Sequence, residues 1–407
     1  MLIVSWLLSV AAVPVLLAAL YLLAASLLSR RALSRRALSR RALSRRGQAS
    51  PKRRFVIVVP AHNEEVGLPA TLESLQSIAW PRTHTRILVV ADNCTDATAT
   101  AARAFGAEVL ERTSALHRGK GYALAAAFTQ LGAEPGHAWD AVVVIDADTD
   151  VEPTLLEAAD ARLADGAAAL QAVYLSRRGT APLQIITEIG LWASHMVRGR
   201  ARESLGLSVG LRGNGMILTR ATIARVPYTA FSAVEDLEYG ILLAQAGIRV
   251  GLVPETIVRG DMPADARVAS TQRVRWIGGR AAVVRHHLLP LLRAGIRQRS
   301  GLLLDLAADL ALPPLALLVA ATALGLPLAF VLAGFGHPVP LALWAAAGSA
   351  LVSHVLDAAR GAGLGAALPN VLRVLPGYIL DKTRTTIRAI GAPTRTWVRT
   401  ARAGERS

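Results

Sequence analysis

The stretch Ala141-Val142-Val143-Val144-Ile145-Asp146-Ala147-Asp148-Thr149-Asp150 decides the fold: an apolar run stops at three carboxylates on alternate positions. A short continuous run of β-favouring apolar residues reads as a strand buried on both faces, as in a parallel sheet covered by helices. In open sheets of this kind ligands bind beyond the carboxyl ends of the strands. Asp146, Asp148 and Asp150 therefore stand where a ligand would sit. Alternating carboxylates make an oxygen-rich site for a hard divalent cation, Mg2+ or Mn2+, and Mg2+ is commonly held by one or two carboxylates plus substrate phosphates. The plainer alternative is a solvated acidic turn leading into a helix near Pro153.

Working outward, Phe55–Val59, Arg86–Val90 and Ala107–Leu110 are further predicted strands. They alternate with Ala-rich helical stretches near Glu65–Ile78, Thr95–Phe105 and Lys120–Leu131. Alternation of strands and helices argues for an α/β layer structure. Polar clusters follow the strands at the expected ends: Pro60-Ala61-His62-Asn63-Glu64-Glu65 after the first, and Asp92-Asn93-Cys94-Thr95-Asp96 after the second.

The flanks are of a different kind. The 407 residues carry 45 Lys+Arg against 29 Asp+Glu, a net charge of +16. Residues 1–28 hold no charge at all, and Leu2–Leu28 is long enough to cross a bilayer. Residues 29–54 then hold eleven positives and no acid, and the chain from Arg373 onward nets +6, which leaves the middle close to neutral. Basic charge beside apolar runs is a topology signal, and it places both flanks on the cytoplasmic side. Arg-Arg-Ala-Leu-Ser repeats at 30–34, 35–39 and 40–44, and a five-residue step cannot line its arginines along one helix face. The repeat reads as a linker attracted to anionic lipid. Two further apolar runs, Leu310–Gly336 and Leu341–Asp357, read as a helical hairpin. A charge confined to the flanks excludes a simple basic nucleic-acid domain, and 53% hydrophobic residues exclude a disordered chain. Cys94 is the only cysteine, which excludes an intrachain disulfide.

Seven motifs occur in order: Val58-Val59-Pro60-Ala61-His62-Asn63-Glu64-Glu65, Val89–Asp96, His117-Arg118-Gly119-Lys120-Gly121, Asp146-Ala147-Asp148, Gly213-Asn214-Gly215, Val234-Glu235-Asp236 and Gln272-Arg273-Val274-Arg275-Trp276. With these in sequence, residues 55–276 resemble the membrane-integrated inverting glycosyltransferases of family 2, the branch of cellulose, hyaluronan and poly-N-acetylglucosamine synthases. The resemblance implies a GT-A type, Rossmann-like nucleotide-sugar-binding domain flanked by transmembrane helices. It divides the chain into a transmembrane helix at 1–28, an Arg-rich linker at 29–54 and the transferase domain at 55–276. An amphipathic interface helix follows at 277–300, two transmembrane helices at 301–359, and an interfacial segment with a basic tail at 360–407.

The resemblance also implies roles. Pro60, Asn63, Glu64, Asp92, Lys120, Asp146, Gly213 and Asn214 would form the nucleotide-sugar site, with Asp148 and Asp146 on a Mg2+ or Mn2+ ion. Asp236 would be the general base that takes the acceptor hydroxyl's proton, leaving Glu235 to favour the start of a helix from Leu237 to Ala246. Arg275 offers a bidentate fork for diphosphate oxygens. Trp276 offers a flat face for an acceptor sugar or an anchor at the membrane interface, and Gln272 completes that motif. The implied partners are a nucleotide-diphosphate sugar, a saccharide or lipid-linked acceptor, membrane lipids and other polysaccharide-assembly proteins, with no nucleic acid. The implied location is the cytoplasmic (inner) membrane, with the catalytic domain cytoplasmic. The sequence departs from the pattern at Ala91, where many relatives have an aspartate, and at Val234, where many have a threonine. Three spans are also fewer than the large synthases carry, so single addition to a lipid or polyprenyl-linked acceptor stands as the alternative to chain synthesis.

Overall fold

The computed structural model describes residues 1–43, 53–136, 138–261 and 266–391. Side chains at 34–43, 266–273, 275, 390 and 391 are outside that description. The chain divides into two compact units. One contains residues 43–177 and 206–307, the other residues 1–42, 178–205 and 308–391.

The first unit is an α/β domain. Among the described residues, eight strands form one sheet: β1 (Phe55–Ala61), β2 (Thr85–Asp92), β3 (Glu108–Arg112), β4 (Ala141–Val144), β5 (Thr149–Val151), β6 (Ala169–Ser176), β7 (Met216–Thr219) and β8 (Val250–Gly260). Their order is β3-β2-β1-β4-β7-β6-β8-β5. The half β3-β2-β1-β4 is parallel, with Phe55 beside Thr85 on one side and Ala141 on the other. The strand pattern points to a parallel sheet, and the sheet as a whole is mixed. β7 runs antiparallel to both β4 and β6, and β5 is antiparallel to β8. The apolar runs report burial, which a strand of either direction satisfies.

Burial explains why these segments are strands. Phe55 to Val59 and Ala141 to Ile145 are all within 1% of complete burial. One face packs Ile57, Val59, Val143 and Ile145 against Leu68, Leu72 and Leu75 of the helix Leu68–Gln76 and against Leu155 and Leu156 of the helix Leu155–Ala164. β8 carries Pro254, which cannot donate to a ladder. The register with β6 jumps at that point, from Ala172 opposite Val253 to Val173 opposite Ile257.

The second unit is helical. Among the described residues three helices are long and apolar enough to cross a membrane: Leu2–Leu33, Leu315–Gly334 and Val339–Gly361. The first belongs to a helix that continues to Leu43, into the arginine repeat, rather than ending near Leu28. Leu22, Leu318, Ala347 and Leu351 form one buried cluster, and Ala12, Ala329 and Trp344 another. A side chain at Gly325 would collide with the Trp344 indole, so the last two of these helices approach closely. Polar ties join the helices as well, with Ser26 Oγ 2.8 Å from His354 Nδ1 and Arg30 on Asp357 at 2.6 Å.

Residues 178–205, which the motif pattern runs through without a break, group with these helices. They form the helix Pro182–Leu191, a π-helical turn Trp192–Val197 and the helix Arg198–Ser204. Ile185, Ile189 and Val197 pack on Ala358, Ala359 and Val371. The expected interface helix from residue 277 is part of one longer helix, Ala266–Arg297.

Candidate active site

The parallel half of the sheet puts the ends of β1, β2 and β4 along one edge. Because β7 is antiparallel to β4, with Val144 opposite Met216, the loop that precedes β7 arrives at that same edge. It carries Gly213, Asn214 and Gly215. The helix Glu235–Gln245 also begins there, two residues earlier than its expected start, so Glu235 and Asp236 both lie in its first turn.

Lys120, the first residue of the helix Lys120–Gly132, is the hub. Its Nζ donates to Asp146 Oδ1 and, at 2.6 Å, to the Gly213 carbonyl. Glu235 Oε1 is 4.0 Å away. Gly213 has φ +76°, and a Cβ there would sit 3.2 Å from Lys120 Nζ and 3.4 Å from Asp236 Oδ2. Glycine is thus required twice, for the left-handed backbone and for the close approach. Lys120 and Asp236 face each other across this glycine.

Burial dominates the electrostatics. It pushes the Glu235 carboxyl up to about 7, against the pull of the Lys120 ammonium and with the help of the Asp236 charge. Asp236 is raised for the same first reason, opposed by the Leu237 N–H that it accepts at 2.8 Å and by Lys120 and Arg212. Burial alone would lower Lys120, but the charges of Asp146 and Glu235 outweigh it and hold the ammonium above its usual range. Desolvation disfavours whichever form is charged, and neighbouring charges decide how much of that penalty remains.

Asn214 is completely buried. Its Oδ1 accepts the Asp146 N–H at 3.2 Å and its Nδ2 donates to Thr149 Oγ1 at 2.7 Å. Gln171 supports the same loop, donating to the Asn214 carbonyl at 2.7 Å and accepting the Arg212 N–H at 2.9 Å. The Asn214 amide therefore holds the two loops together.

At the end of β2, Asp92 is nearly buried and accepts from Arg112, with Asn93 Nδ2 on the same oxygen at 3.0 Å. Pro60 lies within β1, in register with Val90. Asn63 takes φ 55° and binds Thr95 through both ends of its amide, accepting the Thr95 N–H at 2.7 Å. The Glu64 N–H donates to Thr98 Oγ1 at 2.7 Å. The first two motifs thus brace one another at the sheet edge.

On the other side of Asp146, Asp148 lies beside Asp261, whose N–H donates to the Asp148 carbonyl at 3.3 Å. Tyr174 sits beneath. Burial, then the charges of Asp148, Asp146 and Asp261, holds its phenol well above its usual range. Arg177 ties Asp150 at 2.7 Å to Asp261 at 2.9 Å. Among the described residues no group of three or more His, Cys, Asp or Glu side chains is arranged as a metal cage. The donor set at Asp146 and Asp148 is all oxygen, which fits Mg2+ or Mn2+ completed by phosphate oxygens rather than a softer ion.

Gln272 and Arg275 fall on the helix Ala266–Arg297, and their side chains lie outside the described residues. Trp276 is 38% exposed on the same helix. One turn further on, a Cβ at Gly279 would meet Val234 Cγ1 at 3.1 Å and Ala233 Cβ at 3.3 Å, so this helix packs tightly on the segment leading to Glu235. Motif reading missed Arg112, Tyr174 and the inward position of Glu235. The last had a visible signal, an acid beside the expected base, but the helix was started two residues late.

Residues 51–279, more than half of the chain, match the family model described as glycosyltransferase like family 2. A curated relative, the probable glycosyltransferase YdaM of Bacillus subtilis (strain 168), is 24% identical over 239 residues, 56% of this chain and 55% of that protein. The chain thus spans about half the length of the curated relative it matches. Among solved structures, the mannosyltransferase PcManGT from Pyrobaculum calidifontis in complex with GDP-Man and Mn2+ is similar at a TM-score of 0.49 and 19% identity, over 86% of this chain and 99% of that one. The glucosyl-3-phosphoglycerate synthase of Mycobacterium tuberculosis, in complex with Mn2+, UDP-glucose and phosphoglyceric acid, is similar at a TM-score of 0.36 and 21% identity, over 54% of this chain and 76% of that one.

Proposed function

The chain belongs to the glycosyltransferase family 2-like family, and from that premise we propose that it moves a sugar from a nucleotide-diphosphate donor to a saccharide acceptor with inversion, using Asp236 as general base. The observation that carries this reading is the convergence on Lys120 of a donor-side carboxylate, Asp146, and the half-buried pair Glu235–Asp236. Donor and base ends of the site are separated by little more than one glycine.

The nucleoside base lies toward Asp92 and the diphosphate toward Asp146 and Asp148. These two carboxylates would hold a Mg2+ or Mn2+ ion, which when bound neutralises charge on the departing diphosphate. Gly213 lets Lys120 and Asp236 approach the backbone where donor and acceptor would meet. Asp236 accepts the proton of the acceptor hydroxyl as that oxygen attacks the anomeric carbon opposite the leaving group. A carboxyl held up by burial suits this role, because its basicity is raised toward working pH. Trp276, exposed on the helix that packs beside Val234, would stack on the acceptor sugar. Three membrane-capable helices and the basic flanks support a cytoplasmic active site at the inner membrane, with extracellular polysaccharide as the product.

The test is a screen of UDP- and GDP-sugars against the full-length protein in detergent, reading nucleoside diphosphate release with and without Mn2+. Release from at least one donor that is lost on chelation supports the reading. Absence of release from every donor, with native membranes supplied as acceptor, overturns it.

A further inference from the structure

Lys120 has three N–H donors. One is used on Asp146 and one on the Gly213 carbonyl. The carboxylates on its remaining side belong to a different element, the first turn of the helix Glu235–Gln245. Glu235 Oε1 is 4.0 Å from the ammonium, and its side chain is 12% exposed. Asp236 faces the same ammonium across Gly213. One cation is therefore shared by a donor-side carboxylate and two acceptor-side carboxylates in a partly buried site.

We infer that Glu235 is a positioning residue, which acts through Lys120 to keep the ammonium shared between the donor carboxylate Asp146 and the base Asp236. This rests on the transferase reading above. Without the Glu235 charge, Lys120 is drawn wholly to Asp146, and Asp236 loses a share of the cation. The charged and titratable groups that face Glu235 are Lys120, Asp146, Asp236 and the phenol of Tyr228, and Arg212 adds its charge at Asp236. Burial, which raises both carboxyls, makes this sharing matter at neutral pH. Two carboxyls this close titrate as a pair rather than singly.

The experiment compares wild type, Glu235→Gln and Glu235→Asp as full-length proteins, with melting curves to verify the fold. The readouts are the pH profile of kcat for the donor found active and the affinity for its nucleoside diphosphate with Mn2+. The wild-type acid limb should be steeper than a single ionisation. In Glu235→Gln it should become a single ionisation, with kcat reduced about tenfold. Glu235→Asp, which keeps the charge, should retain the steep limb. An unshifted profile and unchanged kcat in Glu235→Gln would overturn the inference while leaving the transferase reading intact. Unfolding of both variants would make the residue structural and overturn it too. No donor turnover by the wild type removes the reading and the inference together.

Discussion

Asn214 Oδ1 accepts the backbone N–H of Asp146 at 3.2 Å, so a residue of the loop before β7 sets the position of the strand-end carboxylate beside it. The same amide reaches Thr149 at 2.7 Å, and the residue has no exposed surface. Replacing it with alanine leaves buried groups without partners, at about 1–3 kcal/mol. Asn214→Ala should lower the melting temperature and weaken nucleoside diphosphate binding together. Measuring both on one preparation checks that the loop acts through Asp146.

Gly213→Ala adds a Cβ that meets Lys120 Nζ at 3.2 Å and Asp236 Oδ2 at 3.4 Å, at a φ of +76°. The strained backbone costs about 1–2 kcal/mol. The expected outcome is a folded protein with a small loss of stability and a much larger loss of turnover. Melting curves and initial rates separate the two.

Activity and stability should run oppositely with pH. As the proposed base Asp236 would work only when ionised, and burial raises both it and Glu235, the latter to about 7. Transfer should therefore fail on the acid side well above the ordinary carboxylate range. A carboxyl raised in the folded state binds protons more tightly there than when unfolded. Its contribution to stability is present below the ordinary glutamate value of 4.5 and is lost as pH rises through about 7. Melting temperature relative to Glu235→Gln should fall between pH 5 and 8 while the rate rises.

In the helical unit, Asp309 is 4% exposed and pairs with Arg198 and, at 3.2 Å, with Arg202, which is equally buried. Removing one partner of a buried ion pair strands the other charge, at about 3–5 kcal/mol. Asp309→Ala should sharply destabilise that unit in detergent, as read by heat denaturation.

How far the sequence carried the fold depends on what periodicity encodes. The strands β1, β2 and β4 were legible because Phe55–Val59, Leu88–Val90 and Ala141–Ile145 are buried on both faces, and the helix from Lys120 was placed at its start. Strand direction leaves no mark on hydropathy, so the reversal of β7 was invisible, and Pro254 disguised β8. The segment 178–205 is apolar enough to pass for domain core, and only its packing on Ala358 and Val371 shows otherwise. In the site, residues that follow strands were found by that rule. Arg112 on Asp92 and Tyr174 beneath Asp148 depend on neighbours supplied by sheet order, which no local pattern carries.

The role proposed for Asp236 is to take the acceptor proton in a nucleotide-sugar transfer. The direct measurement is turnover and nucleoside diphosphate affinity of Asp236→Asn beside wild type, with the same donor and Mn2+. The account predicts unchanged affinity and a rate lower by about 10²- to 10⁴-fold. An Asp236→Asn enzyme that binds and turns over like wild type would contradict it.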